Sequence, residues 1–153
     1  MNATVSPPWT YTLHLPHDPR APGIARTTLR AVLTTYGLGE LAPTAELLAG
    51  ELLSNAHCHT DGPYALRLRS ASPEGIRVSV WDSDPRIPPA FAEDRTPGHR
   101  PPDMAENGRG LHLVRACADR WGAYTVGTAH AGKLLWTEVT PGIPWRQSRD
   151  SRC

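Results

Sequence analysis

Two alternating runs, Tyr64 to Ser70 and Gly75 to Asp82, are separated by only four residues, Ala71-Ser72-Pro73-Glu74. Alternation with period two is the signature of a strand, and so short a connection reads as an antiparallel hairpin. The chain before it is helical. Gly23 to Tyr36 puts Ala25, Leu29, Val32, Leu33 and Tyr36 on one face, and Gly37 supplies a stop. A second helix begins at about Pro43, a favoured first-turn residue. Its apolar stripe is Ala45, Leu48, Ala49, Leu52 and Ala56, and it ends near Asp61-Gly62. Trp9 to Leu15 also alternates and reads as a half-buried first strand.

After the hairpin the chain changes character. From Ser83 to Asn107 it carries Pro85, Pro88, Pro89, Pro97, Pro101 and Pro102 among mixed charges, with little apolar periodicity. A loop of this length inside a small domain is more often functional than idle. A helix from Gly110 to Trp121 follows, then strands at Ala123 to Thr128 and Lys133 to Thr140. This order predicts an α+β fold, a two-layer sandwich with a mostly antiparallel sheet covered on one face by three main helices. It is not the βαβ alternation of a Rossmann or P-loop domain. Residues 9–140 form the expected domain, 1–8 an N-terminal extension and 141–153 a loose tail.

Composition excludes several classes. At 153 residues the chain is the size of one domain with a real core, and its net charge of +1 calls for no polyanionic partner. Fifteen of the sixteen basic residues are arginine, and Lys133 is the only lysine. Met1 to Pro8 is not built like a signal peptide, and no run approaches the roughly 20 apolar residues of a bilayer span. Cys58, Cys117 and Cys153 are odd in number and irregularly spaced, which predicts reduced thiols rather than a disulfide framework. A soluble cytoplasmic protein with no direct nucleic-acid or membrane contact is expected.

Three constellations can carry chemistry. Glu51, Asn55 and His59 fall within roughly 80° of one another on one helix face, beside the apolar stripe. An Asn oxygen can coordinate Mg²⁺, and a Glu one turn away can accept a proton. A solvated polar face has the same pattern, so this helix alone decides nothing. Gly108-Arg109-Gly110 opens a helix after the long loop, where glycines permit close approach and free N–H groups attract phosphate. Asp82, where a strand leaves the sheet, can accept from an exocyclic amine, although aspartate also simply opens turns. His57 and His59 point about 160° apart on a helix and do not share one ion. Trp121 and Trp136 are read as core aromatics.

Together these segments match something specific. Glu51-Leu52-Leu53-Ser54-Asn55-Ala56-His57-Cys58-His59 resembles the N box of the Bergerat-fold (GHKL, histidine-kinase-like) ATPases. Asp82 stands where that superfamily's first glycine box begins, and Gly108-Arg109-Gly110-Leu111 is similar to its second. Asp119-Arg120-Trp121-Gly122 and Gly132-Lys133-Leu134-Leu135-Trp136 resemble one branch, the small stand-alone bacterial regulators related to anti-sigma-factor serine/threonine kinases.

The resemblance implies Mg-ATP as the ligand. Asn55 would hold Mg²⁺, Glu51 would be the general base, His59 would support the N box, and Asp82 would bind the adenine amine. Gly108, Arg109, Gly110 and Leu111 would wrap the phosphates under a lid running from Ser83 to Asn107. It further implies a serine/threonine protein kinase that phosphorylates an antagonist protein and sequesters a sigma factor, with room for a homodimer. The alternative is a nucleotide-responsive module that switches partners without turnover. Two departures bear on the base end. Asp84 replaces the glycine of the first box, which implies less backbone freedom and more negative charge. Leu134 replaces a threonine that supports the adenine aspartate, which implies one missing hydrogen bond to Asp82.

Overall fold

The computed structural model describes residues 7–71, 74–92, 114, 116–127 and 131–141. Its elements are β1 (Thr10–Leu15), α1 (Ala21–Thr35), α2 (Ala42–His59), β2 (Tyr64–Ala71), β3 (Gly75–Asp82), β4 (Arg120–Val126) and β5 (Gly132–Val139). The five strands form one sheet in the order β1-β2-β3-β5-β4, and every neighbouring pair is antiparallel. Both long helices lie on one face, with α2 against β2, β3 and β5 and α1 against α2 and β1. The expected α+β sandwich is the observed architecture.

The helix boundaries have local causes. Pro22 sits in the first turn of α1, where its missing N–H costs nothing. At the other end Gly37 takes φ 71°, the left-handed region that favours glycine. Its N–H donates to the Thr34 carbonyl at 3.2 Å while Leu38 N–H donates to Leu33 at 2.8 Å. This paired arrangement satisfies two otherwise orphaned carbonyls at a helix end. In α2 the whole expected stripe is buried, and Leu53 and Asn55 join it. Thr60 ends the helix by turning extended and donating its hydroxyl to the Ala56 carbonyl at 2.7 Å.

Inward-facing residues of the sheet complete the core: Tyr64, Leu66 and Leu68 from β2, Ile76, Val78 and Val80 from β3, and Leu135 and Val139 from β5. The opposite face carries Arg67, Arg69, Arg77, Trp81 and Trp136, which the registers place in adjoining rows. Trp136 is therefore not a core residue. It lies half-buried on the outer face, with the Arg77 guanidinium 3.9 Å over its ring.

The third helix, expected over 110–121, lies largely outside the described residues. Its expected end is wrong, because β4 already begins at Arg120 and Trp121 pairs with Thr137 as strand. Cys58 is a free, exposed thiol, as expected, but Cys117 is disulfide-bonded, against the expectation of reduced thiols. Among the described residues no helix is long and apolar enough to cross a membrane.

Leu52 is wholly buried on the face of α2 that meets the sheet. Leu52→Ala is expected to lower stability by about 2–5 kcal/mol, the range for emptying a packed aliphatic site, read from urea unfolding midpoints.

Candidate functional site

The face of α2 that packs on the sheet also carries the first candidate residues. Asn55 follows Leu52 by three positions and so turns toward the core, where it is only 8% exposed. Its Oδ1 has no hydrogen-bond partner among the described residues. A buried oxygen left in that state costs about 1–3 kcal/mol, so such a group belongs with something that satisfies it. One turn earlier Glu51 is half-buried, at the rim of the same face. His59, the last residue of α2, is exposed. The three expected residues thus form a gradient, with the carboxamide inside, the carboxylate at the edge and the imidazole in solvent.

The structurally engaged histidine is His57 instead. Its ring stacks on His17 at 4.1 Å and 9°, and its Nδ1 lies 3.1 Å from the Tyr64 hydroxyl. His17 Nε2–H donates to the His57 carbonyl at 2.8 Å. These contacts tie the segment between β1 and α1 to the end of α2. Burial, with the nearby Asp18 carboxylate adding to it, pushes the Tyr64 hydroxyl above its ordinary pKa, so it stays protonated.

At the open end of the sheet Asp82 closes β3 and Lys133 stands directly across from it on β5. Both are 1% exposed. Lys133 Nζ donates to Asp82 Oδ1 at 2.9 Å and to the Asp84 carbonyl at 3.2 Å. The same Oδ1 accepts the Asp84 backbone N–H at 2.9 Å. Gly132 permits this approach, because a Cβ there would collide with the Asp82 carbonyl oxygen and the Trp81 indole. Sequence reasoning missed Lys133 as part of the site. The available signal was its being the only lysine in an arginine-rich chain, at a register position that faces inward.

The same register corrects the expectation about Leu134. Leu134 pairs with Trp81 and Tyr124, one residue out of step with Asp82, and therefore lies on the outer face. A threonine there would point away from Asp82 and could not support it. Thr137, wholly buried with Oγ1 unpartnered among the described residues, is the inward-facing threonine of this strand, opposite Val78.

Asp84 also differs from its expected effect. Among the described residues Glu74, at φ 53°, is the one non-glycine with positive φ, so the backbone at Asp84 makes no use of glycine's freedom. Its carboxylate is occupied locally, accepting from the Arg86 backbone N–H at 3.0 Å and from the Arg86 guanidinium at 2.9 Å. Asp82 and Asp84 thus each bond to the backbone two residues on, and the paired turns carry the chain away from the sheet. The Arg86 hydrogen bonds hold the Asp84 carboxyl at about 2, well below its ordinary 3.8.

Gly108, Arg109, Gly110 and Leu111 lie outside the described residues, as does most of the expected lid. The lid's described beginning is not free of the core. Pro89–Phe91 forms a single tight turn whose Ala90 and Phe91 are buried, and the Phe91 ring meets Trp121 edge-on at 5.3 Å.

Comparison with known families adds one match. A model described as the histidine kinase-like ATPase domain covers residues 15–136. No curated protein matches the chain.

Removing Lys133 would strand a carboxylate in the interior. Lys133→Met is expected to cost about 3–5 kcal/mol, and Lys133→Met combined with Asp82→Asn to recover most of it, with urea midpoints as the check. The Asp84–Arg86 contact has a definite acid signature. Its folded pKa is depressed, so its stabilisation is complete above the ordinary value of 3.8 and is lost as pH falls through about 2. Arg86→Ala should return the Asp84 titration toward 3.8, observable by carboxyl NMR.

Proposed function

Because the chain belongs to the histidine kinase-like ATPase domain family, we propose that it is a regulatory serine/threonine kinase of the anti-sigma-factor type, using Mg-ATP to phosphorylate an antagonist protein and sequestering a sigma factor. ATP binding comes with family membership. The observation that carries the finer reading is Asn55, whose buried Oδ1, unpartnered among the described residues, sits one helical turn from the half-buried Glu51.

The residues fit the ion and the reaction. A carboxamide oxygen is a hard donor suited to Mg²⁺, and Asn55 offers one that nothing else among the described residues claims. When bound, Mg²⁺ would neutralise phosphate charge. Glu51, at the rim of the same face, would take the proton from the attacking serine or threonine hydroxyl. Asp82 would present an acceptor to the base, and Gly108 to Leu111 would hold the phosphates by backbone N–H groups. Catalysis of this kind is positioning and charge stabilisation. His59, exposed at the end of α2, would lie at the periphery and Asp84 beside the base end.

A second reading, nucleotide-driven partner switching without turnover, draws on one observation. Asp82 is already engaged by Lys133, which would loosen the grip on the base without touching Glu51. One experiment separates the two: the protein is incubated with γ-labelled ATP, Mg²⁺ and a candidate antagonist protein. The kinase reading expects label on an antagonist hydroxyl residue, lost in Glu51→Ala while nucleotide binding survives. Asn55→Ala should weaken Mg-ATP binding by at least about tenfold. Binding with no transfer under any condition would establish the switch, and no binding of ATP or ADP at millimolar concentration would refute both.

A further inference from the structure

We propose that Lys133 determines base specificity in the nucleotide site, making the subsite a paired donor and acceptor that takes guanine as well as adenine nucleotides. The inference rests on the reading of Asp82 as the base acceptor and goes beyond it.

A carboxylate alone at the end of β3 would be an acceptor only. It would welcome adenine's exocyclic amine and face guanine's O6, another acceptor, with nothing to donate. Sites that leave a buried polar group unpaired reject the offending substrate by large factors. Lys133 changes that pattern. Its ammonium has three donors, and two are committed, to Asp82 Oδ1 at 2.9 Å and to the Asp84 carbonyl at 3.2 Å. Asp82 Oδ1 in turn holds two donors, Lys133 Nζ and the Asp84 N–H, so its other oxygen is the one left for a ligand. That leaves the pair, among the described residues, with one N–H and one carboxylate oxygen to offer a base. Adenine matches them with its ring N1 and its amine. Guanine matches them with O6 and its N1–H.

An incoming base cannot simply displace the lysine. Both side chains are buried, at 1% and 2% exposure, and parting them would leave two bare charges without water. The base has to be read by the pair as it stands. The choice of residue fits the same demand. Every other basic residue of the chain is arginine, and here alone is the compact ammonium, in a corner where Gly132 brings the β5 backbone against the Asp82 carbonyl.

The test is competition of ATP and GTP, each with Mg²⁺, against a fluorescent ATP analogue on the full chain. The wild type is expected to hold GTP within about tenfold of ATP. Lys133→Thr should widen the gap against GTP by a further factor of about ten or more, while Lys133→Gln, which keeps a donor, should preserve the wild-type ratio. If Lys133→Thr fails to fold, the wild-type and Lys133→Gln ratios decide. A wild-type preference for ATP above about a hundredfold, or a ratio unmoved in a folded Lys133→Thr, overturns this inference and leaves the ATP site standing. Failure of the wild type to bind either nucleotide overturns the site and the inference together.

Discussion

The pairing of β3 with β5 is the contact on which the rest of this structure depends. It joins strands whose facing residues Asp82 and Lys133 are 51 positions apart, and it makes two separate hairpins into one sheet. Loop-closure entropy for a connection of that length is repaid only if the register is unique. Here it is pinned at both ends. Val139 and Ile76 are buried opposite one another at one end, and the ion pair closes the other. A slip by one residue would carry Lys133 to the outer face and leave Asp82 buried without its partner.

Helix α2 carries a double duty on this frame. Its apolar stripe supplies much of the core, and Asn55 is set within that stripe rather than on the solvent side. A polar residue there weakens packing and leaves an oxygen without a partner among the described residues, a local conflict of the sort that folded proteins tolerate where a ligand resolves it. Glu51 avoids the same penalty by standing at the rim. The energetic burden of the site is thus concentrated in one carboxamide whose position is fixed by its neighbours Leu52 and Ala56.

Much of this was legible from periodicity. The stripes of α1 and α2, the β2–β3 hairpin and the stop of α1 followed from residues such as Leu29, Leu52 and Gly37, because local geometry determines them. Whatever needed a strand's facing partner was not legible. Leu134 and Lys133 are adjacent in the chain, and only the register with Asp82 shows which of the two faces inward. Trp136 looked like core because tryptophan usually is, yet the same alternation sends it to the outer face beneath Arg77. The helix expected to end at Trp121 stops earlier because pairing of Arg120 and Trp121 with β5 overrides the helical pattern. Family motifs pointed to Asn55, Glu51 and Asp82 as candidates, but a motif records residue types rather than charge partners, and so the lysine that engages Asp82 went unseen.

Placing the chain's only lysine inside an ion pair also sets its behaviour toward electrophiles. Amine-directed acylation needs an accessible ε-nitrogen, and this one is held against Asp82 at 1% exposure. The arginine-covered exterior offers such reagents no side-chain amine at all. Lysine modification of the folded protein would therefore report one event, the separation of β5 from β3, and its rate would time the opening of that corner of the sheet.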